Sequence, residues 1–157
     1  MIVMDDNLKI QSAISMHVDA INTNAFTPET KLWRRVISHA LEDTLIVNSD
    51  RKKSLAKVKA HNWITGQEKD FCHACYRADL DPDMIYQTYI KMIKQGLIKF
   101  TARQLKWIEY QLLWDKLNQA QGNGAKRQLR LKIKRFRNVV LNTDTNFSST
   151  IFITPIK

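Results

Sequence analysis

Glycine, proline and cysteine are all scarce in this chain, at four, three and two of 157 residues. So little glycine and proline excludes a collagen-like chain and argues against a loop-rich β-sandwich. No run approaches the roughly eighteen uninterrupted apolar residues of a membrane-spanning helix, so no membrane partner is expected. The opening stretch Met1-Ile2-Val3-Met4-Asp5-Asp6 has neither the basic nor the apolar region of a secretory signal. The two cysteines, Cys72 and Cys75, form a single Cys-x-x-Cys pair. A structural zinc site takes four ligands and usually a second such pair. His61 and His73 are the nearby candidates, and a helix would turn His73 away from the thiols. Two small residues on a helix, reduced in a cytoplasmic setting, is therefore the expectation, with no metal and no cofactor.

What the chain has in excess is positive charge. Lys plus Arg number 25 against 15 Asp plus Glu, a formal charge of +10, alongside 44% hydrophobic residues, enough for a packed core. The excess is unevenly placed. Residues 1–50 carry 4 basic and 7 acidic side chains, residues 51–100 carry 10 and 5, and residues 101–157 carry 11 and 3. A chain basic toward one end points to a polyanionic partner.

Apolar spacing is helical almost throughout. Ile10, Ala13, Ile14, Val18 and Ile21 predict a helix over 7–21. Thr27-Pro28 is a cap followed by a first-turn proline. Leu32, Val36 and Ala40 carry the next helix to Val47, and Asn48-Ser49-Asp50 stops it and caps another. In Arg51–Trp63, Leu55, Val58 and Trp63 lie on one side, with Lys52, Lys53, Lys57 and Lys59 on the other. A short helix, Glu68 to Ala78, precedes Asp81-Pro82 and a helix to Gln95, which Gly96 ends. Thr101 to Ala120 presents Leu105, Ile108 and Leu112 on one stripe, and Trp107, Tyr110, Trp114 and Leu117 on an adjoining one. Gln121-Gly122-Asn123-Gly124 is the clearest linker. Leu129, Ile133, Phe136 and Val140 favour helix for the last segment, although Leu129, Leu131 and Ile133 also alternate as in a strand. The residues from Asn146 to Thr154 are β-branched and aromatic, suited to an edge strand or a loose tail.

The expected fold is all-α, an orthogonal bundle of five or six helices with a helix–turn–helix-like pair, a basic C-terminal helix and a short extended tail. The expected division is a helical domain over 1–120, a basic helical segment over 121–142, and an extended or disordered tail over 143–157.

Two features carry functional expectations. The first is the helix–turn–helix candidate from Asp70 to Lys91, with Cys75 as the small crossing residue, Asp79 at the turn position usually held by Gly, Leu80 as plug and Ile85 as anchor. Asp83, Tyr86, Gln87, Ile90 and Lys91 would then face outward. Of these, Gln87 suits an adenine edge and Lys91 a phosphate. Asp81 and Asp83 oppose this reading, since carboxylates at that helix end repel DNA, and they also serve simply as a helix start. The second feature is the run Lys126, Arg127, Arg130, Lys132, Lys134, Arg135 and Arg137, with no acid among them. A helix pinned by Leu129, Ile133 and Phe136 would project these cations toward phosphates, DNA or RNA. An anionic membrane surface, an acidic protein groove or plain solvent are the competing readings.

No catalytic constellation stands out. Glu42 and Asp43 are adjacent and so on different helix faces. His17, His39, His61 and His73 are scattered, and Gly66, Gly96, Gly122 and Gly124 punctuate helices rather than cradle phosphates. The expectation is a non-enzymatic protein.

Leu32-Trp33-Arg34-Arg35-Val36-Ile37, Leu41-Glu42-Asp43, Trp63-Ile64, and Asp70-Phe71-Cys72 through Ala78-Asp79-Leu80-Asp81-Pro82 together resemble a pattern in small helical proteins of phage and prophage-like regions of α-proteobacteria. The resemblance spans roughly residues 32–86, and this chain departs from it at Asp79, where the pattern has Gly. It implies a phage-type context and transcriptional control. It supplies no functional residues and stops short of the basic segment. The resulting expectation is a small nucleic-acid-binding transcription regulator. The alternative is an adaptor for RNA polymerase or a phage assembly component, anchored by Trp107, Tyr110 and Trp114.

Overall fold

The computed structural model describes residues 26–157, so the helix expected over 7–21 lies outside the described residues. Six helices make up the described chain: α1 (Pro28–Asp43), α2 (Arg51–Thr65), α3 (Lys69–Arg77), α4 (Pro82–Lys94), α5 (Ala102–Gln119) and α6 (Asn123–Asn142). Among the described residues there is no named strand, only an isolated antiparallel bridge between Thr101 and Phe147. The all-α class is as expected, and the ambiguous basic segment is helix.

The helix starts are set by local chemistry. Thr27 Oγ1 accepts from the Thr30 amide at 3.2 Å ahead of Pro28. Asp50 Oδ1 accepts from the Lys53 amide at 2.8 Å, and Asp81 Oδ1 from the Asp83 amide at 3.0 Å ahead of Pro82. Thr101 and Gln104 form a reciprocal capping box. Each cap satisfies amides that a helix start otherwise leaves unpaired, a contribution of about 1 kcal/mol apiece.

The chain divides into two compact units. The first holds, among the described residues, 26–46, 56–99 and 150–156. Its core gathers Ile37, Leu41, Ile64, Phe71, Ala74, Cys75, Ile85, Tyr89 and Ile93, with Trp63 meeting the Phe71 ring edge-on at 5.2 Å between centroids. α3 ends in a double-bonded C-cap: the Leu80 amide returns to Cys75 O at 2.9 Å and the Asp79 amide to Tyr76 O at 3.1 Å. That geometry requires the left-handed backbone at Asp79, where φ is 56°. Asp is one of the few non-glycine residues that adopts it readily, because its short side chain bonds locally. Arg34, 6% exposed, reaches over from α1 and donates from Nε to Ala78 O at 2.8 Å and from Nη2 to Asp79 O at 3.3 Å.

Two polar side chains in this unit were not legible as core residues. Lys57 is not on a solvated face, as the spacing of its neighbours suggested, but is 1% exposed. Its Nζ donates to Ile46 O at 2.7 Å and to Lys99 O. Burial lowers its pKa from 10.5 to about 7. His61, one turn further along α2, is fully buried, with Nδ1 2.7 Å from Tyr89 Oη and Nε2 3.0 Å from Thr154 O. The carbonyl can only accept, so Nε2 carries the proton and Nδ1 accepts from the tyrosine. Burial holds the His61 pKa below its usual value, Lys57 adds to the lowering, and the Thr154 contact opposes it. Asn62 pairs both ways with Ile156, donating to its carbonyl at 2.9 Å and accepting from its amide at 2.7 Å. The segment expected to be a loose or edge-strand tail is thus irregular but tied down.

The second unit holds residues 47–55 and 100–149, with Lys157. Here α5 and α6 pack together through Trp107, Tyr110, Leu113, Leu117, Ile133 and Val140. Only Ala120, Gln121 and Gly122 separate them, with Gly122 at φ 93°, a backbone that favours glycine. So short a connection returns α6 antiparallel to α5. Arg103, at the start of α5, accordingly caps the far end of α6, donating from Nε to Thr143 O at 2.9 Å and from Nη2 to Leu141 O at 3.1 Å. The buried face of α5 is centred on Trp107, Tyr110 and Leu117 and takes in Ile108 and Leu113 as well. Leu112 is exposed, because α6 covers the Trp107–Tyr110 side.

Candidate nucleic-acid interface

α6 is the element on which the excess charge is concentrated. Ile133 and Val140 are buried, and Leu129 and Phe136 are half-buried against the aromatic cluster. That apolar stripe fixes which way the rest of the helix faces. Arg127, Arg130, Lys134 and Arg137 follow at spacings of three, four and three, so they form one exposed row. The row runs about 15 Å at the α-helical rise. Lys126 stands half-buried at its start. Lys132 and Arg135 lie on the other side of the helix, in a shallow groove with Leu129 and Leu131. Among the described residues, none of the seven cationic side chains makes an ion pair or donates a hydrogen bond. The helix contains no acid that would neutralise them.

At its C-terminal end the row meets a cleft of about 480 Å³ in the same unit. Arg51 from the first turn of α2, Arg103 from α5 and Arg137 from α6 all line it, with Trp107, Tyr110 and Leu141. The Arg51 guanidinium lies 4.9 Å from the Tyr110 ring centre and donates to Gln111 Oε1 at 3.1 Å. The Trp107 indole donates to Ser49 O at 2.8 Å, fixing the loop that leads into α2. Arg51 and Arg103 were not singled out by sequence reasoning. No spacing relates residues 51, 103 and 137, and only the α5–α6 hairpin and its packed loop bring them to one place.

No family model, no curated protein and no solved structure matches the chain. No group of three or more metal-ligating side chains occurs among the described residues, and no helix there is long and apolar enough to cross a membrane.

The helix pair in the first unit stands partly as drawn from the sequence. α3 and α4 are joined by residues 78–81, with Leu80 and Ile85 buried. Gln87 and Lys91 are exposed and one turn apart on α4, as is Asp83 near its start, whereas Tyr86 is half-buried against the core. Ile90, expected to face outward, is 8% exposed. Ile85, Tyr89, Met92 and Ile93 form the inward face of α4 that their spacing suggests, and Ile90 widens it. In the second unit, the aromatic anchor patch on which the adaptor reading depended is absent: Trp107 and Tyr110 are buried and Trp114 half-buried. The Trp107 and Tyr110 rings meet edge-on at 5.3 Å between centroids, as core aromatics do.

Proposed function

We propose that this chain is a non-enzymatic nucleic-acid-binding protein of the small phage-type regulator kind, gripping the phosphate backbone with the exposed row of α6. The observation that carries this reading is that row. It comprises Arg127, Arg130 and Lys134, with Arg137 at its end, and no described residue acts as their acceptor. Parallel cations this close repel one another, and a polyanion relieves that repulsion while releasing its own counterions. Arginine serves this role well because its planar fork accommodates a phosphate in two parallel bonds.

In this reading α6 supplies sequence-independent affinity, and α4 supplies sequence preference through Gln87, with Lys91 on a neighbouring phosphate. Asp83 stands beside Gln87 and weakens any approach of that surface to phosphate, so the larger share of the binding free energy falls to α6.

The test is a titration of wild type and of Arg127→Ala/Arg130→Ala/Lys134→Ala with fluorescently labelled DNA and RNA across a salt series. Three lost phosphate contacts reduce the slope of log K against log salt by about 2 to 3. If the variant binds as well as wild type at low salt, with the same slope, the reading is wrong. Gln87→Ala should leave overall affinity within about threefold while relaxing the motif recovered by selection from random sequences.

A further inference from the structure

The cleft at the end of the α6 row offers more than a phosphate contact. Arg51, Arg103 and Arg137 approach it from three different helices, against one carboxylate, Asp50. That carboxylate is already engaged, accepting the Lys53 amide at 2.8 Å. Arg51 and Arg103 are held in place by Gln111 and by the end of α6, so two of the three guanidinium groups are fixed before any ligand arrives. Arg137 is exposed and has no partner among the described residues. One turn along α6 from Arg137, Leu141 adds apolar surface to the lining, itself about half exposed at 49%. A volume of about 480 Å³ falls within the roughly 300–1,000 Å³ range of small-ligand clefts and exceeds what a lone phosphate needs.

These features suit a group with an anionic end and a flat, largely apolar body. A nucleotide within a strand has this form. In a duplex the base is stacked and paired and cannot enter a concave site, whereas an unpaired strand presents its bases for packing against apolar walls and guanidinium planes. We propose that the cleft receives one nucleotide of a single-stranded nucleic acid, whose neighbouring phosphates run along Lys134, Arg130 and Arg127. The proposal rests on the reading of α6 as a phosphate-binding element and adds the strand state of the partner to it.

The experiment uses the full chain, a short oligothymidylate and a duplex of the same length. Binding is followed by fluorescence anisotropy and by the Trp107 indole N–H signal in a ¹⁵N spectrum, assigned by its loss in Trp107→Phe. That indole bonds to Ser49 in the cleft wall and reports occupancy directly. The single strand is expected to shift the Trp107 signal saturably. Arg137→Gln is expected to weaken the single strand about tenfold and the duplex less than about threefold. An unmoved Trp107 signal at saturating single strand overturns the proposal, as does an equal loss of both ligands in Arg137→Gln. If Arg127→Ala/Arg130→Ala/Lys134→Ala binds both ligands like wild type, the α6 reading falls and this inference with it. If that variant loses binding while Trp107 stays silent in wild type, only the cleft falls.

Discussion

Replacing Lys57 by Met tests whether a buried amine makes the first unit's stability rise with pH. In the folded chain the Lys57 amine has a pKa of about 7, against 10.5 for an ordinary lysine, with desolvation by burial as the cause. Below about pH 7 both the folded and the unfolded chain carry this proton, and the cost of burying it is fully present. Between about 7 and 10.5 the unfolded chain holds more protons than the folded one, so stability rises with pH across that window. Each pH unit contributes at most about 1.4 kcal/mol, which sets a ceiling of about 5 kcal/mol. The carbonyls of Ile46 and Lys99 favour the charged form, because a bond from an ammonium is worth about 1 kcal/mol more than one from a neutral amine. At a folded pKa of about 7 the expected rise from pH 6 to pH 9.5 is about 3 kcal/mol.

The assay is urea denaturation of wild type and Lys57→Met, followed by circular dichroism, at several pH values from about 6 to 9.5. Cys75, whose thiol burial pushes up to about 12, makes stability fall above pH 9, but it does so equally in both proteins and drops out of the difference. Methionine keeps the volume and leaves two carbonyls unpaired. The two proteins should thus differ little near pH 6, and wild type should pull ahead by about 2 kcal/mol or more by pH 9.5. A difference that stays constant within about 0.5 kcal/mol over that range would refute the argument, since Lys57 would then titrate alike in both states.

Two further substitutions probe the turn between α3 and α4. Arg34→Met strips Ala78 O and Asp79 O of their guanidinium donors, and a loss of about 2 to 3 kcal/mol is expected by denaturant titration. A loss under about 0.5 kcal/mol would mean that water replaces the guanidinium freely. Asp79→Gly removes the cost of a left-handed backbone at a residue with a Cβ. It should stabilise the chain by up to about 1 kcal/mol, whereas Asp79→Val, with a branched Cβ at φ 56°, should destabilise it by more than that.

Thr27, Asp50 and Asp81 were legible as caps because capping is completed within three residues of the cap itself. Ile133 and Val140 were legible as the inward face of α6 because the 3.6-residue period makes a stripe. Lys57, Arg34 and His61 were not legible as core. Each is buried by a carbonyl or hydroxyl from far along the chain, and a polar residue amid helical spacing looks solvent-facing until that partner is known. Ile90 failed for a related reason, since the width of a buried stripe depends on which neighbour covers it. At the candidate site the α6 row was visible as a run of like charge. The cleft was not, since Arg51 and Arg103 are unremarkable in their own segments and join Arg137 only through the α5–α6 hairpin and the loop packed on it.

The contacts of His61 and Asn62 with residues 154–156 bear on the order in which the molecule is assembled. The α5–α6 hairpin is made of neighbours in sequence and closes quickly, as local contacts do. The first unit is discontinuous: it lacks its last segment until residues 150–156 have been made, after the whole of α5 and α6. On a ribosome the basic helix is therefore complete, and able to meet a polyanion, while His61 still waits for its carbonyl. A fusion or truncation that disturbs residues 154–156 would leave the buried imidazole without an acceptor in a unit whose other core residues lie more than fifty positions earlier.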